Sequence, residues 1–345
     1  MSPVGGPSPT SQPPTSLYDV MIVDLDGVVY WGSTPVPHAT TTLRQTAERG
    51  TRVLFATNNS SRTPAEVAAH LGRVGLVVSP HHVVTSAQAA AQMAATLVPE
   101  GSAVLVVGGQ AMVQALAEQD LIPVRSLNDH PRVVVQGLAP EVDWRQLAEA
   151  AYGVAAGLPW VVSNMDLAVP RDRGLAPGNG ALAEVVRMVT GRTPLVAGKP
   201  EPGLYAEALS RGGAGRVLAI GDRLDTDIAG ARRIGLDNML VLTGVTSVTD
   251  LLRAAPEQRP TFIARDLRDL TKPHPAVRKV GRRWRCRNWT AETRGEELVL
   301  EPSTTSANLD AIRALCAAAW EASDMGRHVR YTSAPPLGLS AAPDH

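Results

Sequence analysis

The stretch Val20-Met21-Ile22-Val23-Asp24-Leu25-Asp26-Gly27-Val28 constrains the chain more than any other, because a short, apolar, β-branched run ends abruptly in two carboxylates and a glycine. Such a run, closed by turn residues, reads as a buried strand of a parallel sheet. Asp24 then stands at the strand's carboxyl end, the edge of an open α/β sheet where ligands bind. Gly27 lets the backbone turn and bring both carboxylates toward one site. One can attack phosphorus to form an aspartyl-phosphate while the other moves a proton to the leaving group and from water. The same residues also read as a strand that merely ends in a polar turn.

With 345 residues, 44% of them hydrophobic and 19% charged, the chain has material for about two globular domains. Its 33 basic and 33 acidic residues cancel, so nothing global draws it to nucleic acid or an acidic membrane. The two cysteines, Cys286 and Cys316, lack C-x-x-C spacing, which argues against a disulfide framework or a cysteine-built zinc site and favours a reducing, cytoplasmic setting. No apolar run approaches the roughly 20 residues that span a bilayer. Residues 1–16 carry five prolines and no apolar h-region, so they read as a disordered tail rather than a signal peptide, as do 333–345.

Along the chain, a helix over 39–49 leads to a strand over 52–56 that ends in Thr57-Asn58-Asn59-Ser60, followed by a helix over 64–71. Residues 85–182 alternate helix and strand as a block of their own, with helices over 87–97, 110–119 and 144–155 and strands over 103–107, 132–136 and 160–163. The block is large enough to be a domain inserted into the first. The first domain resumes with Leu195-Val196-Ala197-Gly198-Lys199-Pro200, a helix over 204–210, a strand over 216–220 and the loop Gly221-Asp222-Arg223-Leu224-Asp225-Thr226-Asp227. A helix over 228–234 and strands over 238–242 and 261–264 finish it. From 271 onward the character changes: Arg283-Trp284-Arg285-Cys286-Arg287-Asn288-Trp289 alternates with period two, a strand over 297–301 returns, and 309–320 is an Ala-rich helix. The expected organisation is a core of 17–84 with 183–270, an inserted 85–182, and a small α+β module over 271–332.

Asp24, Asp26, Thr57, Lys199, Asp222 and Asp227 each fall at or just past the end of an expected core strand. Phosphate monoester hydrolysis needs a nucleophile, a proton shuttle, cations on the phosphoryl oxygens and a metal, and these loops supply all four. Asp24 and Asp222 suit Mg²⁺, a hard ion that prefers oxygen. Asp227, in the first turn of the next helix, could hold the metal's waters or Lys199. The Thr57 hydroxyl and Asn58 amide would bond phosphate oxygens, and Lys199 would act as a point cation. Each has an ordinary reading as well: Thr57 as a turn residue, Lys199 as a solvated charge, Asp222 and Asp227 as helix caps.

In this order, Asp24-Leu25-Asp26-Gly27-Val28, Thr57-Asn58-Asn59-Ser60, Gly198-Lys199-Pro200 and Gly221 through Asp227 resemble the four motifs of the haloacid dehalogenase superfamily, more closely its class IIA phosphatases. The resemblance runs over roughly 18–267. It implies a Rossmann-like α/β core with a C2-type cap at 85–182, Asp24 as nucleophile, Asp26 as acid/base with its carbonyl on Mg²⁺, and Asp222 as the third protein ligand. Asp26 matches the hydrolases of the superfamily, whose transport ATPases carry threonine there.

Gly178-Asn179-Gly180-Ala181-Leu182-Ala183 fits G-x-G-x-x-A, but 172–177 before it does not read as a strand, which argues against a dinucleotide fold. By the resemblance this loop belongs to the cap, so Asn164, Asp166, Gly178, Asn179, Gly180 and Arg62 are candidates for substrate contacts. Gly198-Lys199 is no Walker A loop, since Pro200 stands where Ser or Thr is required, and His81-His82 reads as a turn. The arginines of 278–287 read either as an anion patch or as cross-strand partners of Glu297 and Glu301. The tail is similar to an acetyltransferase-like appendage behind some of these phosphatases but lacks an R-x-x-G-x-G/A loop, so it is expected to be structural or regulatory. Glycerol 3-phosphate is the substrate that resemblance alone suggests. Other small esters (sugar phosphates, 2-phosphoglycolate, nucleoside monophosphates, pyridoxal phosphate) and a non-catalytic phospho-ligand sensor are the alternatives. A small phosphorylated metabolite is thus the expected partner, without nucleic acid or membrane, and homo-oligomerisation is left open.

Overall fold

The computed structural model describes residues 10–171, 173–302 and 308–330. They fall into two compact units, one drawn from Met1–Val53 and Ala214–Asp344 and the other from Leu54–Gly213.

In the first unit, strands Val20–Val23, Val217–Gly221, Asp237–Val241 and Phe262–Ala264 lie side by side in that order, all parallel. Nearly every residue in them is buried, which is why the sequence shows continuous apolar runs rather than alternation. An antiparallel meander follows: Val277–Val280, Arg283–Cys286, Trp289–Arg294 and Glu297–Glu301, covered by the helix Leu309–Asp324. The period-two pattern holds, with Arg283 and Arg285 exposed and Trp284 and Cys286 buried. Of the arginines at 278–287, Arg283 pairs across strands with Glu301, as expected, and with Glu292.

The meander and its helix pack directly on the strands that precede them. Leu240, Leu251 and Ile263 share one apolar cluster with Trp284, Leu315 and Trp320. Two side chains of the helix stitch across it: Trp320 Nε1 donates to the Leu251 carbonyl at 2.9 Å and Arg313 Nη2 to the Ile263 carbonyl at 2.8 Å. A helix buried on nearly every side needs alanines, and this one buries Ala311, Ala314, Ala317, Ala318, Ala319 and Ala322. The tail expected through Ser16 differs. Pro14 is buried in a short 3₁₀ turn, Pro14–Ser16, and Thr10 exchanges two hydrogen bonds with His274. Residues 1–9 and 333–345 lie outside the described residues.

The second unit holds a five-stranded parallel sheet ordered Leu195–Val196, Trp160–Val162, Val133–Gln136, Ala103–Val107, Ile122–Val124. It also holds the parallel pairing of Phe55, Ala56 and Thr57 with Val83, Val84 and Thr85. Two expectations change here. Leu195–Val196 pairs with Trp160–Val162 instead of resuming the core. Gly174–Pro177 is a strand after all, paired antiparallel with Ala168–Arg171, though a hairpin of this kind still offers no dinucleotide βαβ unit. Within this unit the Asn58 and Lys199 segments bond to each other and to the inserted block.

Candidate active site

In the first unit, three carboxylates converge from two strand ends. Asp24 follows Val20–Val23, and its N–H donates to the Ile220 carbonyl at 2.8 Å. Asp222 follows the neighbouring strand Val217–Gly221. Asp227 comes from the wide turn Leu224–Ile228, closed by an i→i+5 bond from Ile228 N–H to the Arg223 carbonyl, and not from a regular first helical turn. One carboxylate oxygen from each of Asp24, Asp222 and Asp227 lies within 4.8 Å of the other two. Asp222 and Asp227 are buried and Asp24 half-buried. Asp225 is left out: it is exposed and paired with Arg223 at 2.8 Å. Burial pushes its carboxyl up, but Arg223 outweighs this and holds it below the ordinary value.

The cluster sits in a cradle that side chains would fill. A Cβ on Gly27 would lie 2.6 Å from Asp222 Oδ2, and one on Gly244 or Gly221 would collide with Asp222 or Asp227. Gly27 also needs its φ of +79°, the left-handed region glycine tolerates, and its N–H closes the turn on the Tyr30 carbonyl at 2.9 Å. Asp26 is exposed beside this turn. The loop after Asp237–Val241 was not singled out from sequence, yet it holds Asp222: Val245 N–H donates to Oδ2 at 2.6 Å and Thr246 N–H to the main-chain carbonyl at 3.2 Å. Gly244 after an apolar strand was the available signal.

Three carboxylates this close repel one another unless a cation stands among them. Hard oxygen donors with room between them are what Mg²⁺ takes, so Asp24 and Asp222 fit as its ligands, with Asp227 beside them.

In the second unit, a hydrogen-bonded chain ties the other motif residues together. Lys199 is 3% exposed and its Nζ donates to the Ala56 carbonyl at 3.0 Å, so it is no solvated charge. Asn58 brackets it: Oδ1 accepts the Lys199 N–H at 2.8 Å, and Nδ2 donates to the Lys199 carbonyl at 3.1 Å and to Asp166 Oδ2 at 3.2 Å. The Asn58 side chain is therefore committed to positioning Lys199, which leaves its main-chain N–H as the amide that could serve a phosphate oxygen. Asn164 Nδ2 donates to the Asn58 carbonyl at 2.7 Å and Asn179 Nδ2 to the Asn164 carbonyl at 2.8 Å. Thr57, buried, accepts the Asn59 N–H on its hydroxyl at 3.1 Å.

Gly178 and Gly180 are buried, and a Cβ on either would collide with the carbonyl of Asp166 or Met165. They bring the start of the helix Asn179–Thr190 against the Asn164–Asp166 turn. Buried Asn179 serves the same turn. Asp166 and Arg62, both half-buried, keep a more open setting.

Comparison with known proteins agrees with these motifs. A family model described as haloacid dehalogenase-like hydrolase matches residues 21–122, a second of the same superfamily matches 196–270, and a GCN5-related N-acetyltransferase-like model matches 286–336. The chain belongs to the haloacid dehalogenase-like hydrolases, and within them it is a phosphomonoester hydrolase. It is 47% identical over 253 residues to a D-glycerol 3-phosphate phosphatase of Mycobacterium tuberculosis, covering 73% of this chain and 71% of the relative. Against an acid sugar phosphatase of Staphylococcus aureus it is 35% identical over 254 residues, covering 73% and 96%. Among solved structures, a glycerol phosphate phosphatase from Mycobacterium tuberculosis in complex with magnesium superposes with a TM-score of 0.84 at 41% identity, covering 93% of this chain and 94% of that one.

Proposed function

We propose that the protein is a Mg²⁺-dependent cytoplasmic phosphatase that hydrolyses glycerol 3-phosphate to glycerol and phosphate through an aspartyl-phosphate on Asp24. The observation that carries the reading is the convergence of Asp24, Asp222 and Asp227 within 4.8 Å inside a glycine cradle. The bound Mg²⁺ would neutralise the phosphoryl oxygens and let a carboxylate approach them. Asp24, the Asp26 carbonyl and, as third protein ligand, Asp222 would hold it, and Asp227 would steady its surroundings.

Asp24 attacks phosphorus, and the bond to the glycerol oxygen breaks as that oxygen takes a proton from Asp26. Asp26, now a base, removes a proton from water, which attacks the aspartyl-phosphate and frees Asp24. Exposed Asp26 is reachable by both the leaving alcohol and the water. Lys199 and the Thr57 hydroxyl serve the phosphoryl group, and Asn58 and Asn164 position them. Asp166 and Arg62 are the cap-side candidates for the glycerol end. The substrate rests on the name of the 47%-identical relative. Two buried free thiols, Cys286 and Cys316, support the reducing compartment.

Phosphate release from a panel of small esters tests the substrate. The highest kcat/KM is expected for glycerol 3-phosphate; a sugar phosphate, 2-phosphoglycolate or another ester in first place would overturn that choice and leave the phosphatase class standing.

A further inference from the structure

A cleft of about 570 Å³ lies in the first unit between the segment after strand Phe262–Ala264 and the start of the helix Leu309–Asp324. None of its residues belongs to the four motifs. Five cations line it, Arg265, Arg268, Lys272, Arg287 and Arg313, against three carboxylates.

The pairing accounts for each carboxylate. Asp266 takes Arg268 through two bonds, at 2.9 and 2.7 Å. Asp269 takes Lys272 at 3.0 Å. Asp310 is shared by Arg313 at 2.8 Å and Arg287 at 3.4 Å. Arg265 has no ion pair among the described residues. His274 adds no charge: its Nδ1 accepts from Arg313 Nη2 and its Nε2–H donates to the Asp269 carbonyl, both at 3.2 Å, the pattern of a neutral ring. The cleft is left with two positive charges in excess.

Arg313 adds to this excess from inside the fold. It is about 5% exposed, with Nη1 on Asp310 and Nη2 on the Ile263 carbonyl and His274; its Nε–H has no acceptor among the described residues but is shielded from solvent, so it contributes charge rather than a contact. A cleft with two positive charges in excess, one of them Arg265 without an ion pair, is a place for a tetrahedral oxyanion. The helix Leu309–Asp324 begins on the same side, its first turn capped by Asn308 Oδ1.

We propose that this cleft binds a small phosphoryl dianion, either inorganic phosphate or a phosphate monoester, and that the acetyltransferase-like segment is a ligand site of the enzyme rather than a structural appendage alone. The ligand sits between Arg265, Arg287 and Arg313.

The test is isothermal titration of the full Mg²⁺-loaded chain with inorganic phosphate, and separately with propylphosphonate as a non-hydrolysable monoester mimic. Wild type is expected to titrate two sites and Arg265→Glu/Arg287→Glu one, with hydrolysis unchanged. A second site for both ligands identifies the dianion class, and one for phosphate alone identifies inorganic phosphate as the occupant. Equal site numbers in wild type and double variant would overturn the proposal. Because Arg265 makes no ion pair, Arg265→Glu alone keeps the test valid should the double variant melt early; it must weaken the second site in the same direction.

Discussion

The side-chain amide of Asn58 holds the main chain of Lys199 from both sides, accepting its N–H at 2.8 Å and donating to its carbonyl at 3.1 Å. A lysine whose backbone is pinned in this way cannot drift from the carbonyl of Ala56 that its ammonium meets. Asn58→Ala removes both bonds, and the one to Asp166 Oδ2, without adding or removing a charge. We expect kcat/KM to fall on the order of 10²-fold, as for a displaced catalytic group. The cost in stability is about 1 kcal/mol per lost bond, measured by urea melts.

Asp222→Asn separates metal binding from folding. With three carboxylates so close, removing one charge relieves repulsion when Mg²⁺ is absent. In EDTA the variant should melt about 2–4 °C above wild type, for a gain of about 1 kcal/mol. Adding Mg²⁺ should raise the wild-type melting temperature and leave the variant's unchanged. Paired thermal melts decide it.

His274 makes the fold sensitive to acid. Burial, and then the nearby Arg313 guanidinium, push its pKa down from 6.5 to about 4. The unfolded chain takes up that proton first, so the stability His274 contributes is fully present above about pH 6.5 and is lost as pH falls toward 4. The loss is on the order of 3 kcal/mol at most. Urea midpoints at pH 7 and pH 4.5 should drop more steeply for wild type than for His274→Asn.

Trp320 joins the terminal helix to the core through the Leu251 carbonyl and the cluster around Leu240 and Ile263. Trp320→Ala should cost about 3–5 kcal/mol and lower one cooperative transition of the first unit, not a separate one for the accessory segment. Calorimetry distinguishes the two.

Asp24, Asp222, Lys199 and Thr57 were legible from the sequence because each follows an apolar run directly, so strand ends could be located and motifs placed on them. Less was legible wherever the deciding partner is distant in the chain. Leu195–Val196 is too short to announce its pairing with Trp160–Val162, which together with the Asn58 bonds ties Lys199's segment into the second unit. Nothing local shows that the Asn58 side-chain amide holds a residue 141 positions away. The packing of the Ala-rich helix was not legible either, since its burial draws on Leu240 and Ile263, which in sequence are ordinary strand residues.

Phosphate release from glycerol 3-phosphate by wild type and Asp24→Asn, each with Mg²⁺ and with EDTA, tests the central claim most directly. Turnover by wild type with Mg²⁺ alone, and none from Asp24→Asn under either condition, is the expected result. Hydrolysis by Asp24→Asn at a rate near wild type, or by wild type in EDTA, would contradict a nucleophilic Asp24 in a metal-bearing carboxylate cluster.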